Sequence, residues 1–589
     1  AGLVRRDGEV VEVAHAILAD LAVARLADDR RTELHRAAAD LVTDPGERAR
    51  HLERAGEADS ALGLALAAAE AAEAEPGRAS EVAAHLAVAA RCAMDAEADD
   101  LRLRAATALL GAMRHGDAVA ILDEVNGTDP ATRAEVAILR SRATWYLGDD
   151  DGFRAALEEA MEQSGRADAR VRARALVERS RRAIFLDPDM TPNGLTMASE
   201  ALDAARAARI PTARAEMLLG LAHYMTDRPE WQPILRGALH RARAEGDADT
   251  ELVAANNLIT AHESSGDPAE GRRLALEMIE RTASAGMAGW QLQFRAMILN
   301  LDLHAGDCPA VVEQAVELLD EPLDRRARAQ VTQALLLALV DTGRLDVASS
   351  RLDAIQREGD RALIGEDAIA WLRSEAELHG GRARRARELA REATTLGFAD
   401  PFASLVELWA SVDLGQPPNP MDANPTPIFA GVRDESLGAI ALVSGDLEAA
   451  IRHLEAAADR WRPYHRRGEW RCLWAAGEAA RRAGRAADAE RRLVELEAEL
   501  AERQLEPMLA RVRRSLRALG VRRATRSRRA DDGLTARERE VMSLVAGGLS
   551  NVEIGRRLGI SRSTVTEMVA RAVDLLGATS RGQAAALLS

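Results

Sequence analysis

Ser444–Leu454 reads SGDLEAAIRHL, and Ala483–Leu493, whose glycine lies 39 residues further on, reads AGRAADAERRL. Each stretch places a glycine, then Asp or Arg, then an Ala-rich amphipathic helical pattern. A glycine at that point ends one helix by taking up left-handed backbone, and the next helix folds back along the first. The signature recurs as HGDAVAIL at Gly116, LGDDDGFRAAL at Gly148, SGDPAEGRRLAL at Gly266, AGDCPAVVEQAV at Gly306, TGRLDVASSRL at Gly343 and GGRARRARELA at Gly381. Successive spacings include 32, 40, 37, 38 and 39 residues, and Gly266 comes 118 after Gly148, close to three periods. One helical hairpin cannot bury its apolar face alone, so stacked neighbours must share a continuous core.

The composition agrees. The 78 Lys+Arg of this 589-residue chain are all arginine, aromatics make up 3% and hydrophobic residues 47%. Few residues are of the types that favour strands, and the alanines favour helix. The predicted class is all-α, with a tetratricopeptide-like helical-repeat superhelix over 57–520. Its period is looser and longer than the roughly 34 residues of a true tetratricopeptide. Without lysine there is no Walker A loop, Schiff-base lysine or kinase-type catalytic lysine. Cys92, Cys308 and Cys472 are too scattered for a zinc ribbon or a disulfide framework, and they fit a reducing cytoplasm. Apolar runs such as Ala334–Val340 fall short of the roughly 18 residues a membrane span needs. The expectation is a cytoplasmic protein that is not an enzyme and binds neither metal nor membrane.

Leu3–Val13, with Asp7-Gly8 as its turn signal, reads as a β-hairpin, and Ile17–Leu26 and Arg31–Leu41 come next with helical spacing. A lone hairpin is marginal, so 1–56 is expected to be the remnant of a winged-helix-like unit. The chain opens on Ala1 rather than Met, and the expectation is a processed chain or a piece of a longer one. Two segments interrupt the repeats. LDPDMTPN, Leu186–Asn193, is expected to be a loop. GQPPNPMDANPTP, Gly415–Pro427, holds five prolines and must be non-helical, either as a surface insertion or as a boundary between two stacks.

Charge is unevenly spread. Residues 511–589 hold 16 arginines and 7 acids, a net of +9 in a chain of −16, which leaves −25 on the rest. A basic tail on an acidic body is the asymmetry of a nucleic-acid-binding module on a scaffold. Val521–Gly533, VRRATRSRRADDG, lacks apolar periodicity and reads as a basic flexible linker.

The remaining residues, Leu534–Ser589, read LTAREREVMSLVAGGLSNVEIGRRLGISRSTVTEMVARAVDLLGATSRGQAAALLS. Thr535 with Glu538, Ser550 with Glu553, and Ser580 with Gln583 form capping boxes, and Ser561 is a fourth N-cap. Helices are therefore predicted to start near 536, 551, 562 and 581, with Gly547-Gly548, Gly559 and Gly577 at the ends of the first three. The turn Leu558-Gly559-Ile560 gives helix-turn-helix spacing. Val545, Leu549, Ile554, Leu558, Ile560, Val565, Val569 and Leu576 supply one small core. Steps of 100° put Val565, Met568, Val569, Ala572 and Leu576 on one face of the third helix. Ser563, Thr566, Glu567, Ala570, Arg571 and Asp574 fall on the other, which is the face suited to a major groove.

This segment closely resembles the LuxR-type helix-turn-helix of bacterial transcription regulators. Leu534, Thr535, Arg537, Glu538, Gly548, Leu549, Ser550, Asn551, Glu553, Ile554, Ser561, Thr564, Val565, Leu576, Gly577, Ser580 and Arg581 carry much of the match. The resemblance implies base-facing Ser563, Thr566, Glu567, Ala570 and Arg571, and phosphate contacts from Arg556, Arg557, Arg562, Arg571 and Arg581. The chain departs from the family at Val552, where a base is frequent, at Met568, where His is usual, and at Leu575, where Lys is common. Thr566 and Ala570 stand where bases are frequent, and Glu567 and Asp574 add negative charge to the groove face. Trp461–Leu500 is similar to the last repeats of the large ATP-binding LuxR regulators of actinobacteria, and the first residues are similar to the segment after their ATPase core. That likeness implies ATP only for a longer parent with an upstream ATPase domain, and no cofactor for this chain.

The twelve histidines lack metal spacing and read as partly exposed helix residues. Trp461, Tyr464, Trp470 and Trp474 either pack a repeat interface or line a ligand groove. Two functional readings result. One is a transcriptional regulator whose repeats sense a small molecule or protein partner, and whose C-terminal domain binds double-stranded promoter DNA as a homodimer. The other is an interaction scaffold with a degenerate, non-binding helix-turn-helix.

Overall fold

The computed structural model describes residues 4–7, 10–13, 25–75, 77–185, 191–226, 228–357, 364–398, 401–422, 427–521, 534, 536–558, 562–576, 578, 580 and 581–588. They form two compact units, 1–515 and 516–589. Residues 17–24 of the expected helix Ile17–Leu26 and nearly all of the 521–533 linker lie outside the described residues, and Arg25 and Leu26 form a turn rather than helix.

In the first unit, Val4–Asp7 pairs antiparallel with Val10–Val13. The hairpin is where the sequence puts it, but its register differs by one residue. Asp7 pairs with Val10 and so belongs to the strand, leaving Gly8 and Glu9 between the strands. Asp28–Leu41 is helical and begins three residues before the expected Arg31, with Asp28 and Asp29 in its first turn, where acids suit the helix dipole.

From there helical hairpins succeed one another. Pro130–Leu147 ends at Gly148 (φ +70°) and returns as Asp150–Ser164; Ala288–Ala305 ends at Gly306 (φ +85°) and returns as Cys308–Leu319. Gly266, Gly343, Gly381, Gly445 and Gly484 also have positive φ. In three of the Gly-Asp repeats, after Gly148, Gly266 and Gly445, the aspartate caps the second helix, whereas Asp307 after Gly306 makes no side-chain cap. Asp149 accepts from Gly152 N and Asp446 from Ala449 N, at 2.9 and 3.1 Å. Arg382 and Arg485 occupy the equivalent place without a side-chain cap. Gly116 departs from the expectation: it lies inside helix His115–Leu122, and Met113 (φ +59°) takes the left-handed position.

Close approach within a hairpin depends on glycine as well as alanine. A Cβ on Gly220, Gly438 or Gly477 would lie 2.6–2.7 Å from a leucine of the returning helix, Leu235, Leu454 or Leu493. Residues far apart in sequence also touch. Arg326 donates to Trp145 O at 2.6 Å, Arg503 to Ala305 O at 3.0 Å, and Trp470 packs on Gly306. Such separations, 164 to 198 residues, are what successive turns of one superhelix produce.

The helices on the two sides of the proline-rich segment are bonded to each other. Helix Phe402–Asp413 precedes it and helix Val432–Ser444 comes after, and Trp409 Nε1 of the first donates to Glu435 of the second at 2.6 Å. Pro427–Phe429 forms a short 3-10 turn, so the segment's last proline does open a helical turn. Likewise, helix Thr191–Ala207 begins inside the expected loop at 186–193.

The tryptophan cluster packs a repeat interface. Trp461, Trp470 and Trp474 are buried, and Trp461 Nε1 also donates to Glu435, at 2.8 Å. Several histidines expected to be partly exposed are buried instead, among them His85, His115 and His262. Burial lowers the pKa of His115 to about 4. Among the described residues no helix is long and apolar enough to cross a membrane.

Candidate nucleic-acid interface

The C-terminal domain is built from four helices, Ala536–Ala546, Asn551–Leu558, Arg562–Leu575 and Arg581–Ala586. They begin at the positions the caps predict. Ser550 N and Oγ both donate to Glu553 Oε2, at 2.8 and 2.7 Å, and Glu553 N returns a bond to Ser550 Oγ at 3.4 Å. This reciprocal box starts the second helix. Gln583 N donates to Ser580 Oγ at 3.2 Å and starts the fourth. Gly548 (φ +83°) closes the first. Thr535, Gly559, Ile560, Ser561 and Gly577 lie outside the described residues.

Val545, Ile554, Val565 and Val569 are buried as expected, with Leu549, Leu558 and Leu576 packed against them. Leu534, Val541, Met542, Ala572, Ala584 and Ala585 complete the core. The fourth helix thus contributes two alanines that periodicity alone does not single out, because six residues are too few to show a period.

The third helix divides as its 100° steps require. Val565, Val569 and Ala572 are buried, while Ser563, Thr566, Glu567, Ala570, Arg571 and Asp574 are all exposed. The base-facing candidates therefore form one continuous outer surface. Arg557, Arg562 and Arg581 are exposed around it; the side chain of Arg556 lies outside the described residues.

Not all these groups are equally available. Thr566 Oγ1 accepts from Asn551 Nδ2 at 3.1 Å and donates to Arg562 O at 2.8 Å. Arg581 Nη1 and Nη2 donate to Asn551 Oδ1 and Leu549 O at 3.1 and 2.6 Å. Arg571 Nε lies 3.4 Å from a carboxylate oxygen of the buried Glu538. Arg581 thus braces the entry to the second helix, and Arg571 balances a buried charge. Arg537, which is not among the expected contact residues, donates to Leu558 O at 2.7 Å and ties the first helix to the start of the helix-turn-helix turn.

Residues 532–588 match the family described as bacterial regulatory proteins, luxR family. The C-terminal domain is a LuxR-family helix-turn-helix domain. Over 56 residues the chain is 45% identical to the probable transcriptional regulatory protein SgaR of Hyphomicrobium methylovorum, a match covering 10% of this chain. The chain spans only 26% of that relative's length, so the likeness concerns the LuxR-family domain alone. Among solved structures, the Cut9–Hcn1 hetero-tetramer of APC/C is similar over 86% of this chain and 96% of its own, at 14% identity and a TM-score of 0.40. The pentatricopeptide repeat protein PPR10 from maize is similar over 95% of this chain and 82% of its own, at 15% identity and a TM-score of 0.21. At those scores neither likeness adds to the repeat architecture read from the helices themselves.

Proposed function

We propose that the chain is a DNA-binding transcriptional regulator whose LuxR-family domain lays the 562–575 helix in the major groove, and whose repeats take a ligand or protein partner that controls it. The observation that carries this reading is the outer face of that helix. It is exposed from Ser563 to Asp574 over a closed core, and arginines stand around it. Such a helix, preceded by the short Asn551–Leu558 helix, presents base-reading groups to the groove while the arginines meet phosphate. Glu567 accepts from cytosine N4 in this arrangement. Recognition by a homodimer calls for half-sites one helical turn apart.

The test is a titration of the full chain against promoter-length DNA fragments across a salt series. Affinity that falls steeply with salt reports displaced counterions and supports the reading. A chain that binds no DNA at low salt, but gains binding when Glu567→Lys is introduced, instead marks a scaffold whose LuxR-family domain has lost its activity.

A further inference from the structure

The first unit contains a cavity of about 550 Å³ that the sequence does not announce. It opens among helices Pro130–Leu147, Ala169–Phe185, Ala213–Met225, Ala248–Ser264, Ala288–Ala305 and Arg325–Asp341. Its size lies within the roughly 300–1,000 Å³ usual for small-molecule sites. Trp145, Phe185 and Trp290 give it aromatic walls, and Met113 and Met217 add pliable apolar surface. Asn256, Gln293 and Gln330 set side-chain amides among them. A few polar groups in a mostly apolar concavity is the pattern of an orienting ligand site.

Two features point to the ligand's charge. Arg181 lines the cavity with its side chain only 4% exposed, and among the described residues its Nη1 has no hydrogen-bond partner. Trp290 Nε1, in the same wall, is a second buried donor without an acceptor. Buried donors are nearly always satisfied, and an orphaned pair calls for an explanation. The second feature is the balance of the charges behind the wall. Arg214 donates to Glu178 at 3.1 Å and to Asp249 at 2.9 Å, Arg142 also bonds Asp249, and Arg181 Nε lies 3.4 Å from Glu178. Three guanidiniums thus face two carboxylates. Arg326 and Asp324, which also line the cavity, cancel one another, and Asp247 acts on Arg214 from further off, so the shortfall of counter-charge falls on Arg181. Arg326 stacks 4.7 Å over Trp145, and Asp324 caps its own helix through Ala327 N. A buried surplus charge is costly unless something neutralises it.

We propose that this cavity binds a small monocarboxylic acid with a flat apolar body, its carboxylate neutralising the Arg181 cluster and its ring lying among Trp145, Phe185 and Trp290. The proposal rests on the reading that the repeats take a ligand, and it gives that ligand a chemical class. Guanidinium suits carboxylate because its planar fork donates two parallel bonds.

The experiment is isothermal titration of the full chain with 2-naphthoate and with its neutral counterpart 2-naphthamide. The expected result is one naphthoate per chain, bound at least tenfold more tightly than naphthamide. Arg181→Met should erase that preference while leaving the naphthamide affinity in place. Met217→Trp, which fills the cavity without touching the charge cluster, should abolish binding of both. A circular-dichroism melt of each variant confirms folding. Equal affinity for acid and amide, naphthoate binding that survives both substitutions, or no naphthoate binding up to about 1 mM would each overturn the proposal. The salt-series DNA titration is run on the same samples. Intact DNA binding beside a failed cavity sinks this inference alone, whereas lost DNA binding in the unsubstituted chain sinks the regulator reading.

Discussion

Glu435 is fully buried and has four donors aimed at its two oxygens. Trp409 Nε1 and Arg471 Nε reach Oε1; Trp461 Nε1 and Arg471 Nη2 reach Oε2, at 2.8 and 3.0 Å. In Glu435→Gln the shape persists but one oxygen becomes an NH2 group. That group then faces one indole N–H and one guanidinium N–H, donor against donor, and Arg471 keeps a buried charge without its bonded counter-ion, with only Glu375 acting on it from further off. Breaking a buried pair from one side costs about 3–5 kcal/mol. Unfolding of a repeat array is not reliably two-state, so the cost is best read locally. Amide hydrogen exchange in helices Val432–Ser444 and Arg466–Arg482 should quicken by about 10²–10⁴-fold. The double variant Glu435→Leu/Arg471→Met removes both charges together and should return exchange to within about tenfold of the unsubstituted chain. Acceleration below about tenfold in the single variant would refute the reasoning, because the carboxylate would then not be what satisfies those donors.

Four further outcomes are expected from the structure. Arg557→Ala or Arg562→Ala should lower the salt dependence of DNA binding by about one unit of slope per domain. Arg581→Ala, whose two Nη groups already hold Asn551 and Leu549, should instead cost the domain about 1 kcal/mol of stability; anisotropy titrations and melts separate the two effects. His115, held neutral in the folded chain by burial with a pKa of about 4, takes up a proton on unfolding below its ordinary 6.5. Stability is therefore complete above pH 6.5 and falls through the window from 6.5 to 4, by about 1.4 kcal/mol per pH unit for this group; His115→Gln should flatten the pH dependence of amide protection factors in helix His115–Leu122 over pH 7.5–5 by that one proton. Gly306→Ala combines a φ of +85° with a Cβ 2.1 Å from the Trp470 ring, whereas Gly484→Ala meets a φ of +76° and nothing within 4 Å. The second should cost about 1–2 kcal/mol and the first clearly more, a ranking that thermal melts check.

What was legible in the sequence was what local chemistry decides. Ser550 and Ser580 fix helix starts through bonds made within three residues, and the glycines from Gly148 to Gly484 mark turns that need only a left-handed residue. The local signal fails where a different residue does the same job, as Met113 does near Gly116. It also fails where a partner comes from another turn of the superhelix. Arg181, Trp290 and Arg326 look like ordinary helix residues until stacking brings them to one cavity. In the LuxR-family domain the groove face could be read from 100° steps. That Arg571 answers the buried Glu538 and Arg581 the Leu549 carbonyl could not, because both partners lie on other helices.

The buried ion clusters bear on why so uniform a chain adopts one arrangement. Alanine-rich helices present similar small faces, and apart from the few glycines that each seat one leucine, such as Gly438 against Leu454, little in them distinguishes one register from the next. Arg467 changes that balance: it bonds Asp341 at 2.9 Å and Glu375 at 2.9 and 3.1 Å, from helices 126 and 92 residues away in sequence. A slipped packing leaves such a charge buried and alone, at about 3–5 kcal/mol each, which is more than small apolar faces differ between registers. Arginine suits this task because one guanidinium bonds two carboxylates at once, where an ammonium acts as a point charge. The hypothesis is that these clusters select register more than they add stability. The exchange experiment on Glu435 and Arg471 tests it: near-native protection in the double variant fits selection, and protection as poor as in the single variant refutes it.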